Sequence, residues 1–186
     1  SRGGPNGTYI PFRLEVHHGI ANASFMGGNP KLLRVGYSSL IPDSTGRLKP
    51  LTDIDTIAHE MGHDLFRSAT GANSDPSFRS EFWAMNEATG DILAALVGIR
   101  REQLRTGAPA TSFDAMPFIA SYGTMGEQLG TPYRSLLTPE EMEWFAGIGE
   151  SDTHLSMGPI TRMFLLLAYG CIPMVKNPTS PWACPR

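Results

Sequence analysis

Asp55-Thr-Ile-Ala-His-Glu-Met-Gly-His-Asp-Leu-Phe-Arg67 is the stretch on which the reading of this chain turns. His59 and His63 stand four residues apart with Glu60 between them, an H-E-x-x-H pattern. On a helix, residues at i and i+4 share one face roughly 6 Å apart, so both imidazoles can reach a single metal ion. Glu60 projects beside that face, where it can take the proton of an attacking water. Two imidazoles with an adjacent carboxylate suit a hydrolytic zinc site. The plainer alternative is a surface helix with two solvated histidines.

The flanking residues favour a helix. Ile54, Ala58, Met61 and Leu65 recur at three- and four-residue steps and form an apolar stripe beside the histidine face. Thr52 followed by Asp55 reads as the N-terminal capping signal. Gly62 costs roughly 1 kcal/mol against alanine inside a helix, which points to a close approach by another element.

A catalytic zinc takes three protein ligands and keeps one position open, so two histidines are not enough. Asn86-Glu-Ala-Thr-Gly-Asp91 supplies the candidate. Glu87 and Asp91 share a helical face; one can bind the metal while the other orients a ligand histidine. The alternative is a solvated acidic face. The second helix is expected from Ala84 to Arg100, with Met85, Ala88, Ile92, Leu96 and Ile99 as its buried stripe.

The 186 residues are 41% hydrophobic and 18% charged, enough for one domain or two small lobes around a cleft. A net charge of −3 argues against nucleic acid or an acidic membrane as partner. No apolar run reaches the ~18 residues of a membrane span. The opening Ser1-Arg-Gly-Gly-Pro-Asn-Gly7 does not read as a signal peptide. Cys171 and Cys184 either form a disulfide worth ~3 kcal/mol or remain free thiols.

Residues 1–50 are expected to form a β-rich segment and residues 51–186 a helical region, an α+β chain. Loose alternation in Tyr9–Val16 and Lys31–Tyr37 predicts short strands, with turns at Gly27–Pro30 and Pro42-Asp43. His17 and His18 are read as adjacent strand residues on opposite faces, unable to share a metal. Residues 106–135 are expected to be irregular. Pro139 opens a short helix to Phe145, stopped at Gly147, and Pro159 opens a third long helix ending at Gly170. Ile160, Met163, Phe164, Leu167 and Ala168 fall on one face of it. His154 is read on the loop before it, a suitable place for a catalytic group.

His59-Glu-Met-Gly-His63 followed by Asn86-Glu-Ala-Thr-Gly-Asp91 resembles the thermolysin family of zinc metallopeptidases. Tyr133-Arg-Ser135 is similar to that family's arginine segment. The run from Trp144 to Ala168 resembles its catalytic histidine loop and the helix behind it, and Asn22-Ala23 its edge-strand dipeptide. The resemblance covers residues 20–170. It implies a zincin-like fold with the active-site helix between two lobes, and zinc on His59, His63 and Glu87. Glu60 is then the general base, His154 and Arg134 stabilise the oxyanion, and Asp152 orients His154. Asn86 and Asp91 support the metal histidines, while Asn22, Ala23 and Arg134 hold the peptide.

The same resemblance implies a secreted, monomeric endopeptidase cleaving before hydrophobic residues, with no nucleic-acid or membrane partner. Departures from the family pattern are a longer spacer between His63 and Glu87, Phe78 in place of a tyrosine, and Gly98 where a carboxylate is frequent. Asp55 and Glu127 could serve a calcium ion, although Gly98 argues against a full site. The competing class is a zinc-binding homologue or fragment that acts as a binding module without turnover. An aminopeptidase would need an acidic anchor for a free amine, and no motif for one is found.

Overall fold

The computed structural model describes residues 12–38, 42, 44–71, 81–107, 124–125, 134–135 and 146–169. Its architecture is mixed α+β. Strands β1 (Phe12–Glu15), β2 (Ala23–Met26) and β3 (Lys31–Val35) form one sheet in the order β1-β3-β2. β1 runs parallel to β3, pairing Phe12 with Lys31, and β2 runs antiparallel, pairing Ala23 with Val35. Side chains alternate between faces along a strand. Ala23 and Phe25 on β2, with Leu33 and Val35 on β3, therefore all turn inward. Ala23, Leu33, Val35 and Leu51 form a core cluster against which Ile57 of the first helix packs.

His17 and His18 lie beyond the end of β1 rather than on a strand. His17 adopts φ 58°, and its Nδ1 stands 3.1 Å from the Tyr37 hydroxyl. The His18 N–H donates to the Val35 carbonyl. A strand would have required the extended backbone that His17 abandons to reach Tyr37.

Helix α1 spans Ile54–Thr70, and its cap lies one residue later than the Thr52 reading. Asp53 is extended, and its Oδ1 accepts from the Thr56 N–H at 3.0 Å and the Thr56 hydroxyl at 2.9 Å. This satisfies an otherwise orphaned helix donor. Gly71 closes the other end at φ 70°, returning its N–H to the Arg67 carbonyl.

Helix α2 spans Glu81–Thr106, longer at both ends than expected. α1 and α2 make the most extensive contact between elements. That contact cuts across both apolar stripes: Ala58 of the first is buried, and Ile54 of the first and Ile92 of the second are partly buried. Met61 and Leu65 are 47% and 53% exposed, while His59, Glu60, Gly62, His63 and Phe66 are buried. On α2, Ala88 and Ile99 are buried as expected, but Met85 and Leu96 are exposed and Asn86 and Asp91 are inside. The polar face is internal because it is the face on which the two helices meet.

Glycine makes this meeting possible. A Cβ on Gly62 would stand 2.6 Å from the Gly90 Cα, and one on Gly90 2.6 Å from the His59 ring. Neither helix can carry a side chain there at this spacing.

Strands β4 (Thr124–Met125) and β5 (Arg134–Ser135) pair antiparallel within a region expected to be irregular. A 3₁₀ turn at Ile148–Glu150 leads to α3 (Thr153–Ser156) and α4 (Gly158–Tyr169). His154 therefore sits on a short helix, not a loop. On α4, Ile160 and Phe164 are partly buried, but Met163 and Leu167 are exposed. The helix expected before Phe145, Phe78, Glu127, Cys171 and Cys184 lie outside the described residues. Among the described residues no helix is long and apolar enough to cross a membrane.

Candidate metal centre

α1 and α2 each contribute one wall of a buried polar cluster. His59 and His63 rise from successive turns of α1, with ring centroids 4.7 Å apart and planes nearly perpendicular. Glu87 enters from α2 between them. Its Oε2 lies 3.3 Å from His59 Nε2 and its Oε1 3.8 Å from His63 Nε2. Glu60 Oε2 stands 3.9 Å from His63 Nε2. His59, Glu60 and His63 offer ligand atoms that all lie within 4.8 Å of one another.

These separations fit a cation. Two ligand atoms bound at ~2.1 Å with tetrahedral angles stand about 3.4 Å apart. Glu87 Oε2 and His63 Nδ1 are buried without a hydrogen bond. Buried polar atoms left in that state cost stability unless something else satisfies them. For Glu87 Oε2, facing the imidazoles, a cation meets the need.

Each histidine has a different partner behind it. His59 Nδ1 lies 2.7 Å from Asp91 Oδ1 on α2. Burial alone pushes the His59 imidazolium towards neutrality, but Asp91 and Glu87 outweigh it and raise its pKa to about 9. Burial also lowers His63, and there the neighbouring His59 charge adds to it; although Glu87 and Asn86 beside it act the other way, the pKa falls to about 4. The charge of Arg67, one turn further along α1, pushes His63 the same way. Burial raises Glu87, yet the His154 and His59 imidazoles beside it hold it well below the usual carboxylate range.

His154 completes the group from α3. Its Nε2 stands 3.3 Å from Glu87 Oε2 and its Nδ1 3.1 Å from Asp152 Oδ1. Asp152 is the N-cap of α3, and Oδ1 also accepts the His154 N–H at 2.9 Å. The backbone N–H is the main reason its carboxyl stays below its ordinary value; the side-chain hydrogen bond from His154 adds to it, while burial opposes both. Asp152 thereby holds the ring through Nδ1, with Nε2 turned towards Glu87, while half of the side chain remains in solvent.

Of the residues singled out from the sequence, His59, Glu60, His63, Asn86, Glu87, Asp91, Asp152 and His154 are brought together. Asn22 immediately precedes β2; its Oδ1 accepts from the Ala23 N–H at 2.9 Å and its carbonyl from Gly36 N–H. Ala23 begins β2, which packs against α1. Arg134 begins β5, and its side chain lies outside the described parts. Asp55 is buried in the first turn of α1 beside the cap. Two residues escaped the sequence reading. Gly90 is the contact partner of Gly62, and Arg67 stands on the histidine face; its four-residue step from His63 was the available signal.

One known protein resembles the chain over much of its length. The transglutaminase-activating metalloprotease of Streptomyces mobaraensis is 31% identical over 134 residues, covering 67% of this chain. The match spans only 15% of that protein. No family model matches the chain, and no solved structure matches it. The similarity relates the chain to a metalloprotease.

Proposed function

We propose that this chain carries the metal centre of a zinc-dependent endopeptidase of thermolysin type, in a zincin-like arrangement with α1 between two lobes, residues 1–50 and 51–186. The observation that carries the reading is the Glu87 carboxylate spanning His59 Nε2 and His63 Nε2, with Glu60 beside them. His59, His63 and Glu87 would hold the ion, and two imidazoles with a carboxylate suit zinc. When bound, zinc supplies Lewis acidity that brings the pKa of its water towards ~7.

The chain's own groups do the rest. Glu60 takes the proton of the attacking water and delivers it to the leaving amine. His154, braced by Asp152, donates to the oxyanion as charge develops on the attacked carbonyl, with Arg134 as a second donor. Asp91 and Asn86 keep His59 and His63 in the orientation and tautomer the ion requires. Asn22 and Ala23 align the peptide backbone along β2. Cleavage before a hydrophobic residue, secretion and a monomeric state follow from the resemblance to the family. A calcium ion near Asp55 is not part of the reading.

The test is hydrolysis of casein or a quenched peptide, with and without a zinc chelator, beside Glu60→Gln. Chelation abolishes activity, and Glu60→Gln lowers it by at least about a hundredfold while zinc stays bound. Zinc bound without turnover in the unsubstituted chain would instead favour a binding module. Turnover indifferent to both treatments would sink the metallopeptidase reading.

A further inference from the structure

Arg67 stands four residues beyond His63, on the third step of the face that carries His59 and His63. Its guanidinium carbon lies 5.6 Å from the Trp83 ring centre on α2 and 5.8 Å from that of Phe25 on β2. A terminal nitrogen comes within 3.6 Å of where a Cβ on Gly27 would be, just past the end of β2. Two aromatic faces hold a planar cation in a defined orientation and leave its donors to a third party. A cation in the last turn of a helix also suits the helix dipole, but that requires neither ring.

Among the described residues no carboxylate lies within ion-pair distance of this guanidinium. Asp64, the nearby acid on α1, is engaged by Lys31 at 2.6 Å. Among the described residues β2 is the outer strand of its sheet and pairs only with β3, and an edge of that kind can take an extended peptide. One turn of α1 plus the arginine side chain reaches about two to three residues along such a peptide.

We propose that Arg67 is a specificity-determining residue that takes a carboxylate of the bound peptide, an Asp or Glu side chain two or three residues from the scissile bond. The proposal rests on the peptidase reading above. An Arg–carboxylate pair is geometrically directed as well as charged, so it discriminates Glu from Gln at one position.

The experiment uses a neutral peptide that is cleaved once, with a single Glu, Gln or Lys placed in turn at each of the three positions on either side of the bond. The readout is the Glu/Gln ratio of kcat/KM for the unsubstituted chain, Arg67→Gln and Arg67→Glu. At one position the unsubstituted chain favours Glu by about tenfold; Arg67→Gln loses that preference, and Arg67→Glu favours Lys there. No Glu preference at any position in the unsubstituted chain overturns the proposal, whether or not the variants fold. A ratio unmoved by Arg67→Gln also overturns it, because a merely packed arginine scales all peptides together. If no peptide is cleaved, the peptidase reading falls by itself. Fluorescence anisotropy of the labelled peptides then decides this one by the same ratio of Kd values.

Discussion

His59 Nδ1 lies 2.7 Å from Asp91 Oδ1, with both side chains buried and Asp91 fully so. The bond joins α1 to α2 and leaves Nε2 as the nitrogen that faces Glu87. A histidine held this way presents one tautomer to a metal, and losing such a partner typically lowers metal affinity roughly 10–100-fold. Asp91→Asn should lower zinc affinity within that range while the helices remain paired, because the amide still fits. Competition against a chromophoric chelator measures the affinity, and circular dichroism reports the fold. Equal affinity in the variant would show that Asp91 does not prepare His59 for a metal.

The two histidines also set how binding couples to protons. With pKa about 9, His59 is protonated at pH 7.5, whereas His63 at about 4 is already neutral. A metal needs both in the neutral form, so binding at pH 7.5 should expel about one proton, from His59. Titration calorimetry in buffers of different ionisation enthalpy gives that number directly. Uptake of no proton and release of none would contradict the assigned charge states.

The same shifts fix the stability profile of the metal-free chain. His59 is raised above its ordinary 6.5, so its contribution is complete below that pH and is lost as pH climbs through about 9. His63 is depressed, so its contribution is present above 6.5 and disappears as pH falls through about 4. Thermal unfolding with chelator present should therefore give the highest Tm near pH 6–7 and a decline on both sides. With zinc bound, the alkaline decline should vanish, because His59 is then neutral in the folded state.

Much of this centre was legible before any coordinates. The i, i+4 histidines and the Asn86–Asp91 run needed only helical periodicity to be placed on two facing surfaces. Periodicity misled elsewhere, since it assigns the interior to whichever face is apolar. In α1 the buried side carries Asp55, Glu60 and two histidines, and Met61 and Leu65 look outward. A polar face can be internal only when its groups satisfy one another across the interface, and that pairing involves residues 32 positions apart, as in His59 and Asp91. The cap was missed by one residue because Thr52 and Asp53 both suit the position by type. Only the extended backbone of Asp53 decides between them.

That cap has a measurable pH signature. Burial raises the Asp53 carboxyl, but the hydrogen bonds from Asp55 and Thr56 outweigh it and hold the group below 3.8. Its contribution is present above the unfolded value and is lost as pH falls through the lower folded one. Asp53→Ala should cost about 1 kcal/mol at neutral pH. The difference from the unsubstituted chain should shrink below pH 4. A gap in denaturation midpoint that stays constant into acid would assign the loss to packing rather than to the charged cap.

Gly62 gives the sharpest test of how the two helices hold the site. By intrinsic propensity, Gly62→Ala should stabilise α1 by roughly 1 kcal/mol. The structure reverses that sign, since the added carbon would sit 2.6 Å from the Gly90 backbone, which cannot swing aside as a side chain could. Overpacking of this kind costs about 1–3 kcal/mol. Separation of the helices also moves Glu87 away from His59 and His63, so zinc affinity should fall together with Tm. Gly19→Ala, where an added carbon meets nothing within 4 Å, is the matched control and should leave both unchanged. A Gly62→Ala chain that melts higher and keeps its zinc affinity would mean that α1 and α2 do not meet at this glycine pair in solution.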